Sequence, residues 1–200
     1  MPARLDALGI AYTGCSTSAL FKTLSKTETK LSLAQACLPT PEWSADGTGF
    51  NRDPRVIVKP LWEHGSLGLD ETSVMPGADA PRVVAERTLR FKTEHFAEAF
   101  IEGREFHLVL LERITGVEVL PIAEILFEGL KAPAIYGYDA KWTPVQPISP
   151  LNAAVWNGTS PNWPTRLSNS RWPPGLCSGL ATMRASIFVS IRPGRLLSST

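Results

Sequence analysis

The chain runs out of carboxylates long before it runs out of residues: its last acidic side chain is Asp139, and no Asp or Glu follows before Thr200. Such a stretch excludes any site of its own that depends on side-chain carboxylates, the usual anchors of magnesium beside phosphate oxygens. Cysteine is scarce. Cys15, Cys37 and Cys177 are odd in number and lack paired ligand spacing, which argues against a disulfide framework or a zinc site and for a reducing compartment. Long apolar runs are also missing. Nothing approaches the roughly 18 uninterrupted apolar residues of a membrane span, and the opening MPARLDALGIAYTG has no long apolar stretch behind a basic head. The expectation is a cytoplasmic chain with no membrane partner.

What is present is ordinary in bulk and uneven in distribution. With 200 residues, 44% hydrophobic and 20% charged, the chain can build one domain with a real core or form part of a larger enzyme. Through Lys141 there are 15 Lys and Arg against 19 Asp and Glu, while the remainder holds 5 unopposed Arg and no Lys. That basic remainder lacks Lys clusters and interleaved aromatics on a periodic element, so no nucleic-acid partner is expected.

Apolar residues recur at near-helical spacing over 19–38, with Ser16 to Ser18 as caps and Pro39 and Pro41 as the stop, which predicts a helix. Residues 55–59 form a short β-branched run ended by Pro60 and predict a strand, followed by a tight loop at Gly65 and Gly68. Residues 73–94 read as a Pro/Gly/Ala loop and one short helix. Three β-rich runs, 96–101, 105–111 and 117–126, are broken at Glu102-Gly103 and Thr115-Gly116 as adjoining antiparallel strands would be. From Ile148 the character changes. Pro, Ser, Arg and Trp dominate, no period of two or 3.6 lasts a full element, and Trp156, Trp163 and Trp172 argue against a linker.

Several segments could carry chemistry. VIVKP ends a strand on Lys59, and the following EHGSLG supplies glycines whose backbone can approach an anion closely. The plain alternative is a solvated strand end. Glu98 and Glu105 lie seven residues apart on either side of a Gly-containing turn. They could accept hydrogen bonds from a base or a sugar, since ionised acids are acceptors only, or they could be solvated acids of a surface hairpin. Lys26 and Lys30 in KTETK could form an exposed charged helix face, and Lys141 in YDAKW could belong to an aromatic-rich turn.

Order and spacing taken together change the balance. YTGCSTSA, LSKTETK, LPTPEW, VIVKP, EHGSLG, FIEGREF, LPIAEI and YDAKW, running from about Leu5 to about Trp142, resemble the corresponding blocks of the D-alanine-D-alanine ligase branch of the ATP-grasp family. The resemblance implies an incomplete α+β ATP-grasp fold: residues 1–18 as the end of a preceding domain and linker, 19–147 as a partial ATP-grasp domain with its central lobe and the start of the carboxy-terminal lobe, and 148–200 as an unrelated tail. It implies ATP as nucleotide and magnesium as metal. The reaction would join a carboxylate to an amine through an acyl phosphate, with a place in peptidoglycan biosynthesis. Small molecules would be the partners, meaning ATP and an amino acid or dipeptide-type substrate, with the oligomeric state left open. By position, Lys26 and Lys59 would contact phosphates. Glu63, Gly65 and Ser66 belong to the loop closing over them, Lys141 would reach the terminal phosphate, and Ser66 and Lys141 are the catalytic candidates. Glu98 would lie near adenine, the backbone of Ala99, Phe100 and Ile101 would line the base pocket, and Glu105 would meet the ribose. No metal ligand can be assigned. The readings that compete are a non-catalytic nucleotide-binding module, a ligase acting on another amino acid or peptide, and a structural fragment.

The missing metal strand has a candidate origin in the sequence. When each new codon takes the last base of one triplet and the first two of the next, the run LATMRASIFVSIR can encode GDYARVDFRVD, which resembles the family's metal-bearing strand. The same regrouping permits AELADAL in the region after Thr159. The tail from about Ile148 is therefore expected to be an out-of-frame translation, poorly packed as written.

Overall fold

The computed structural model describes residues 2–12, 14–50, 55–113, 115–127, 133–142, 152–155, 187–192 and 195–199. Three helices come first: α1 (Pro2–Ala7), α2 (Thr17–Leu24) and α3 (Lys26–Gln35). The single helix expected over 19–38 is two, because Ser25 sits at φ −85°, ψ 114° and its hydroxyl accepts from the Glu28 N–H, capping α3 afresh. The backbone N–H of Lys26, an orphan at this new terminus, donates to the carbonyl of Leu61 at 3.3 Å. Lys26, Lys30 and Leu33 then share the buried face of α3 at helical spacing. The exposed charged face that KTETK allowed is thereby excluded.

A four-stranded antiparallel sheet follows, built from β1 (Trp43–Ser44), β2 (Arg55–Pro60), β3 (Val74–Pro76) and β4 (His95–Ala99) in the order β1-β4-β2-β3. The helix expected between 73 and 94 is the twelve-residue α4 (Ala80–Phe91). Its Ala80 and Val84 pack on Phe50, Val56, Val58, Met75 and Ala97, which form the core of this lobe. Full burial of an aliphatic side chain stabilises by about 1.5–3 kcal/mol, so this small cluster is what holds the sheet to its helix.

The three runs expected to adjoin do not form one sheet. β4 belongs to the first sheet, whereas β5 (Arg104–Leu108) and β8 (Ala123–Leu126) pair in a second, and β6 (Leu110–Arg113) and β7 (Gly116–Val119) pair only with each other. FIEGREF is thus a crossover between two sheets and not a surface hairpin. YDAKW, read as a turn, is the short helix α5 (Tyr138–Trp142). The second sheet runs β11-β10-β5-β8-β9, with β9 (Asn152–Val155), β10 (Ile187–Arg192) and β11 (Arg195–Ser199) drawn from the tail. The expectation that no element forms after 148 is corrected by these strands. Ladder pairing uses backbone groups and does not require alternation when no strong core selects a face. Residues 156–186, with the three tail tryptophans, lie outside the described residues.

Candidate functional site

Period two along β2 turns Val56 and Val58 into the core beneath α4 and puts Ile57 and Lys59 on the opposite face. Register places Glu98 of β4 across from Ile57 and Phe96 across from Lys59, so a strand-end lysine and an acid of the next strand share that face. Against it lies a cleft of about 330 Å³, a size typical of small-molecule pockets. Lys26 reaches it from α3, and Glu63, Gly65 and Ser66 reach it from the loop after β2. Glu98 and Ala99 close β4 along one wall, Phe100 and Ile101 follow in the crossover, and Glu105 and Lys141 enter from the side of the second sheet. Every residue singled out by position therefore borders one cavity.

The electrostatics of the cleft centre on Glu98, which is 2% exposed. Lys59 hydrogen-bonds its Oε1, and the Lys30 ammonium stands 2.6 Å from Oε2 in a charge contact. Lys30 has no exposed surface and also donates to Thr40 Oγ1 at 3.0 Å and the Pro41 carbonyl at 3.2 Å. Burial pushes the Glu98 carboxyl up, but the Lys59 and Lys30 charges outweigh it and hold it below the usual carboxylate range, ionised. Burial pulls Lys30 down, with Glu98 opposing. Position alone did not single out Lys30. The signal available was that Leu33 continues the face of Lys26 and Lys30, as a buried stripe would.

Lys26 is spent on the loop. Its ammonium donates to the carbonyls of Pro60 at 2.8 Å, of Glu63, and more distantly of Leu61 at 3.5 Å. It thus shapes the backbone of the loop after β2. At the far end of the loop Arg87 of α4, itself buried, donates to the Gly68 carbonyl at 2.8 Å and to Ser73 Oγ, Asp70 Oδ1 and Thr72 Oγ1.

Between these anchors Gly65 and Ser66 both adopt positive φ, +75° and +62°. The Ser66 hydroxyl donates to the Tyr136 carbonyl at 2.8 Å, and the Trp142 indole N–H donates to the Gly65 carbonyl at 2.7 Å. A Cβ on Gly65 would stand 3.2 Å from the Trp142 ring, so both φ and the packed indole favour glycine there. The loop is fastened in this way to the segment carrying Lys141, whose ammonium lies 4.7 Å above the Tyr136 ring. Burial lowers Lys141, with Glu105 opposing, and burial raises the Glu105 carboxyl against the pull of Lys59 and Lys141. His64, also overlooked at sequence level, borders the cleft. Burial and then the Lys26 charge hold its imidazole below the ordinary value.

Ammonium groups from three elements, a pinned glycine-bearing loop, and a wall containing Ile57, Phe100 and Ile101 suit a ligand with a polyanionic end and a flat apolar end. A divalent metal is another matter. Among the described residues no three His, Cys, Asp or Glu side chains converge to hold one, and no carboxylate follows Asp139. The donors present do not fit magnesium. Among the described residues no helix is long and apolar enough to cross a membrane.

No protein-family model matches the chain. Among curated proteins it is 34% identical over 160 residues to the uncharacterized protein y4sG of Sinorhizobium fredii, covering 78% of this chain and 46% of that protein. It is 32% identical over 147 residues to the D-alanine–D-alanine ligase of Actinobacillus pleuropneumoniae (69% of this chain, 45% of that protein). With that of Bordetella pertussis it shares 31% over 145 residues (69% and 44%). The chain thus spans about half the length of the curated relatives it matches. Solved structures of similar fold include the D-alanine–D-alanine ligase of Bacillus anthracis complexed with ATP, with a TM-score of 0.62 at 18% identity over 98% of this chain and 60% of that one. The L-amino acid ligase of Bacillus licheniformis superposes with a TM-score of 0.58 at 18% identity, over 98% of this chain and 44% of that one.

Proposed function

The chain belongs to the D-alanine-D-alanine ligase-like ATP-grasp family, and from that premise we propose that its cleft binds ATP in the manner of a carboxylate-amine ligase. The observation that carries the reading is that residues scattered from Lys26 to Lys141 border a single cavity. In this reading Lys59 and Lys141 neutralise phosphate charge, and Lys26 does so largely through the loop it shapes. The backbone from Ala99 to Ile101 lines the base, with Glu98 beside it, and Glu105 meets the ribose. Ser66 and the backbone around Gly65 cover the terminal phosphate. Phosphoryl transfer depends chiefly on positioning and charge stabilisation, which suits a site rich in lysine and without a protein nucleophile. The ligation would run by transfer of the terminal phosphoryl group to a carboxylate oxygen, then attack of an amine on the acyl carbon with loss of phosphate. An amino acid or a dipeptide-type molecule would be the substrate, in the cytoplasm.

As written, the chain is expected to bind nucleotide without turnover, because its donors do not fit the metal. We attribute that to a shifted reading frame from about Ile148. In support, β10 pairs with β5 so that Ser190 lies opposite Glu105 and Ile191 opposite Arg104. The last Asp of the regrouped sequence falls at this 190/191 junction, on a strand bordering the cleft wall.

The nucleotide reading is tested at Lys59. Hydrogen bonds to charged groups contribute about 1.5–3 kcal/mol, so Lys59→Met is expected to weaken ATP binding about ten- to hundredfold in calorimetric titration. Unchanged affinity would rule the site out.

A pH dependence follows from Lys26. Burial, then the Lys59 charge, lowers it to about 8, with Glu98 and Glu63 pulling the other way. The cleft loses that positive charge as pH rises through about 8, so ATP affinity should fall there, and Lys26→Arg should abolish the midpoint. Fold stability moves oppositely. Between about 8 and the ordinary 10.5 the unfolded chain binds more protons, so on this group's account the folded state gains as pH rises. Affinity that stays flat across this window would contradict the assignment.

A further inference from the structure

We propose that Lys30 is the fixed counter-ion that allows Lys59 to leave Glu98 and turn to the phosphates of a bound nucleotide. This rests on the nucleotide reading above and adds a positioning residue to it. The two lysines contact different oxygens of one carboxylate but differ in freedom. Lys59 is 14% exposed and borders the cleft, whereas Lys30 has no exposed surface. Lys30 is also held by Thr40 Oγ1 and the Pro41 carbonyl, which fix its ammonium beside Glu98 whatever occupies the cleft.

An anion entering the cleft competes with Glu98 for Lys59. Were Lys59 the sole partner of Glu98, its departure would strand a carboxylate that is 2% exposed, and the anion's affinity would be reduced by the full cost of that stranded charge. With Lys30 2.6 Å from Oε2, Glu98 keeps a countercharge throughout. Binding then becomes an exchange of partners at Lys59 in place of the breaking of a buried pair. The Lys30 contact at Oε2 is one of charge without hydrogen-bond alignment, and release of Lys59 leaves the carboxylate free to turn onto Lys30. Lys30 acts only through Glu98.

The test is calorimetric titration of wild type and variants with ATP and separately with adenosine, at one pH and ionic strength. Lys30→Met is expected to weaken ATP roughly tenfold or more while adenosine changes by less than about twofold, since only the phosphates need Lys59. In a Glu98→Gln background Lys30→Met should change ATP affinity by less than about twofold, because no carboxylate then holds Lys59. A merely structural Lys30 would weaken both ligands together or neither, and either result overturns the inference, as does an undiminished cost of Lys30→Met in the Glu98→Gln background. Should Lys30→Met not fold, Glu98→Gln and the double variant decide: they should bind ATP within about twofold of each other, and a wider gap overturns the proposal. A wild type that does not bind ATP sinks the nucleotide reading and this inference with it, whereas a wild type that binds ATP as Lys30→Met does sinks this inference alone.

Discussion

Glu98→Ala should remove about 3–5 kcal/mol of folding stability, the usual cost of deleting one partner from a buried ion pair. Domain stabilities run to about 5–15 kcal/mol, so the variant is expected to be partly unfolded near physiological temperature. The cost arises in what is left behind. Lys30 has no exposed surface and would keep only Thr40 and the Pro41 carbonyl as partners, and Lys59 would lose its hydrogen bond. Urea or thermal unfolding measures the loss, and Glu102→Ala provides the comparison. Glu102 pairs with Arg55 at 2.8 Å, but both side chains are well exposed, at 56% and 42%. Exposed pairs contribute about 0–1 kcal/mol, so that variant should unfold close to wild type.

The pH dependence has a definite sign. The native Glu98 pKa is held below the ordinary 4.5, so its contribution is fully present above that value and is lost as pH falls through the lower native one. In Glu98→Ala the deficit should shrink as pH rises toward 10.5, the ordinary lysine value, because a buried Lys30 stripped of its partner can shed its charge. Equal losses for Glu98→Ala and Glu102→Ala would mean that the buried cluster contributes little to stability.

Much of this site could be read from residue order because strand chemistry and loop chemistry are local. A β-branched run ending at Lys59 and a loop punctuated by Gly65 and Gly68 announce a strand and a tight turn without reference to anything distant. What stayed hidden depends on partners far along the chain. Ser25 looks like any polar residue inside a helical pattern until Leu61 accepts from the next N–H. Lys30 looks solvated until Glu98, on another element, faces it at 2.6 Å. FIEGREF resembles a hairpin because a turn between two apolar runs says nothing of which sheet each run joins, and here β4 pairs with β2 while β5 pairs with β8. The loop fastening was equally obscure. Nothing about Trp142 alone indicates that its indole will donate to Gly65 across 77 positions. Burial of charge and choice of sheet are tertiary outcomes, and local propensity carries little information about either.

A chain carrying one inserted base near codon 148, so that translation continues in the regrouped register, is expected to gain ATP turnover that magnesium supports, whereas the present chain stays at background. The cleft draws lysines from both sides, and two of its acids already face them. Glu98 is held by Lys30 and Lys59, and Glu105 lies near Lys59 and Lys141. No carboxylate follows Asp139 to offer a metal its oxygens. In the regrouped register the codons for 180–191 can encode three Asp, and the last of them would fall where β10 runs beside Glu105. Deleting one preorganised charge stabiliser from an active site costs about 10²–10³ in rate, so restoring a whole metal site should raise turnover by at least about that factor. Phosphate release measured with and without magnesium, on both chains at matched concentration, checks it. Binding should change less than turnover, because Lys26, Lys59 and Lys141 precede the junction and are common to both proteins. A re-registered chain no faster than the present one would dispose of the frame hypothesis. So would stop codons in that register, and in either case the absence of acids beyond Asp139 would stand as a property of the protein itself.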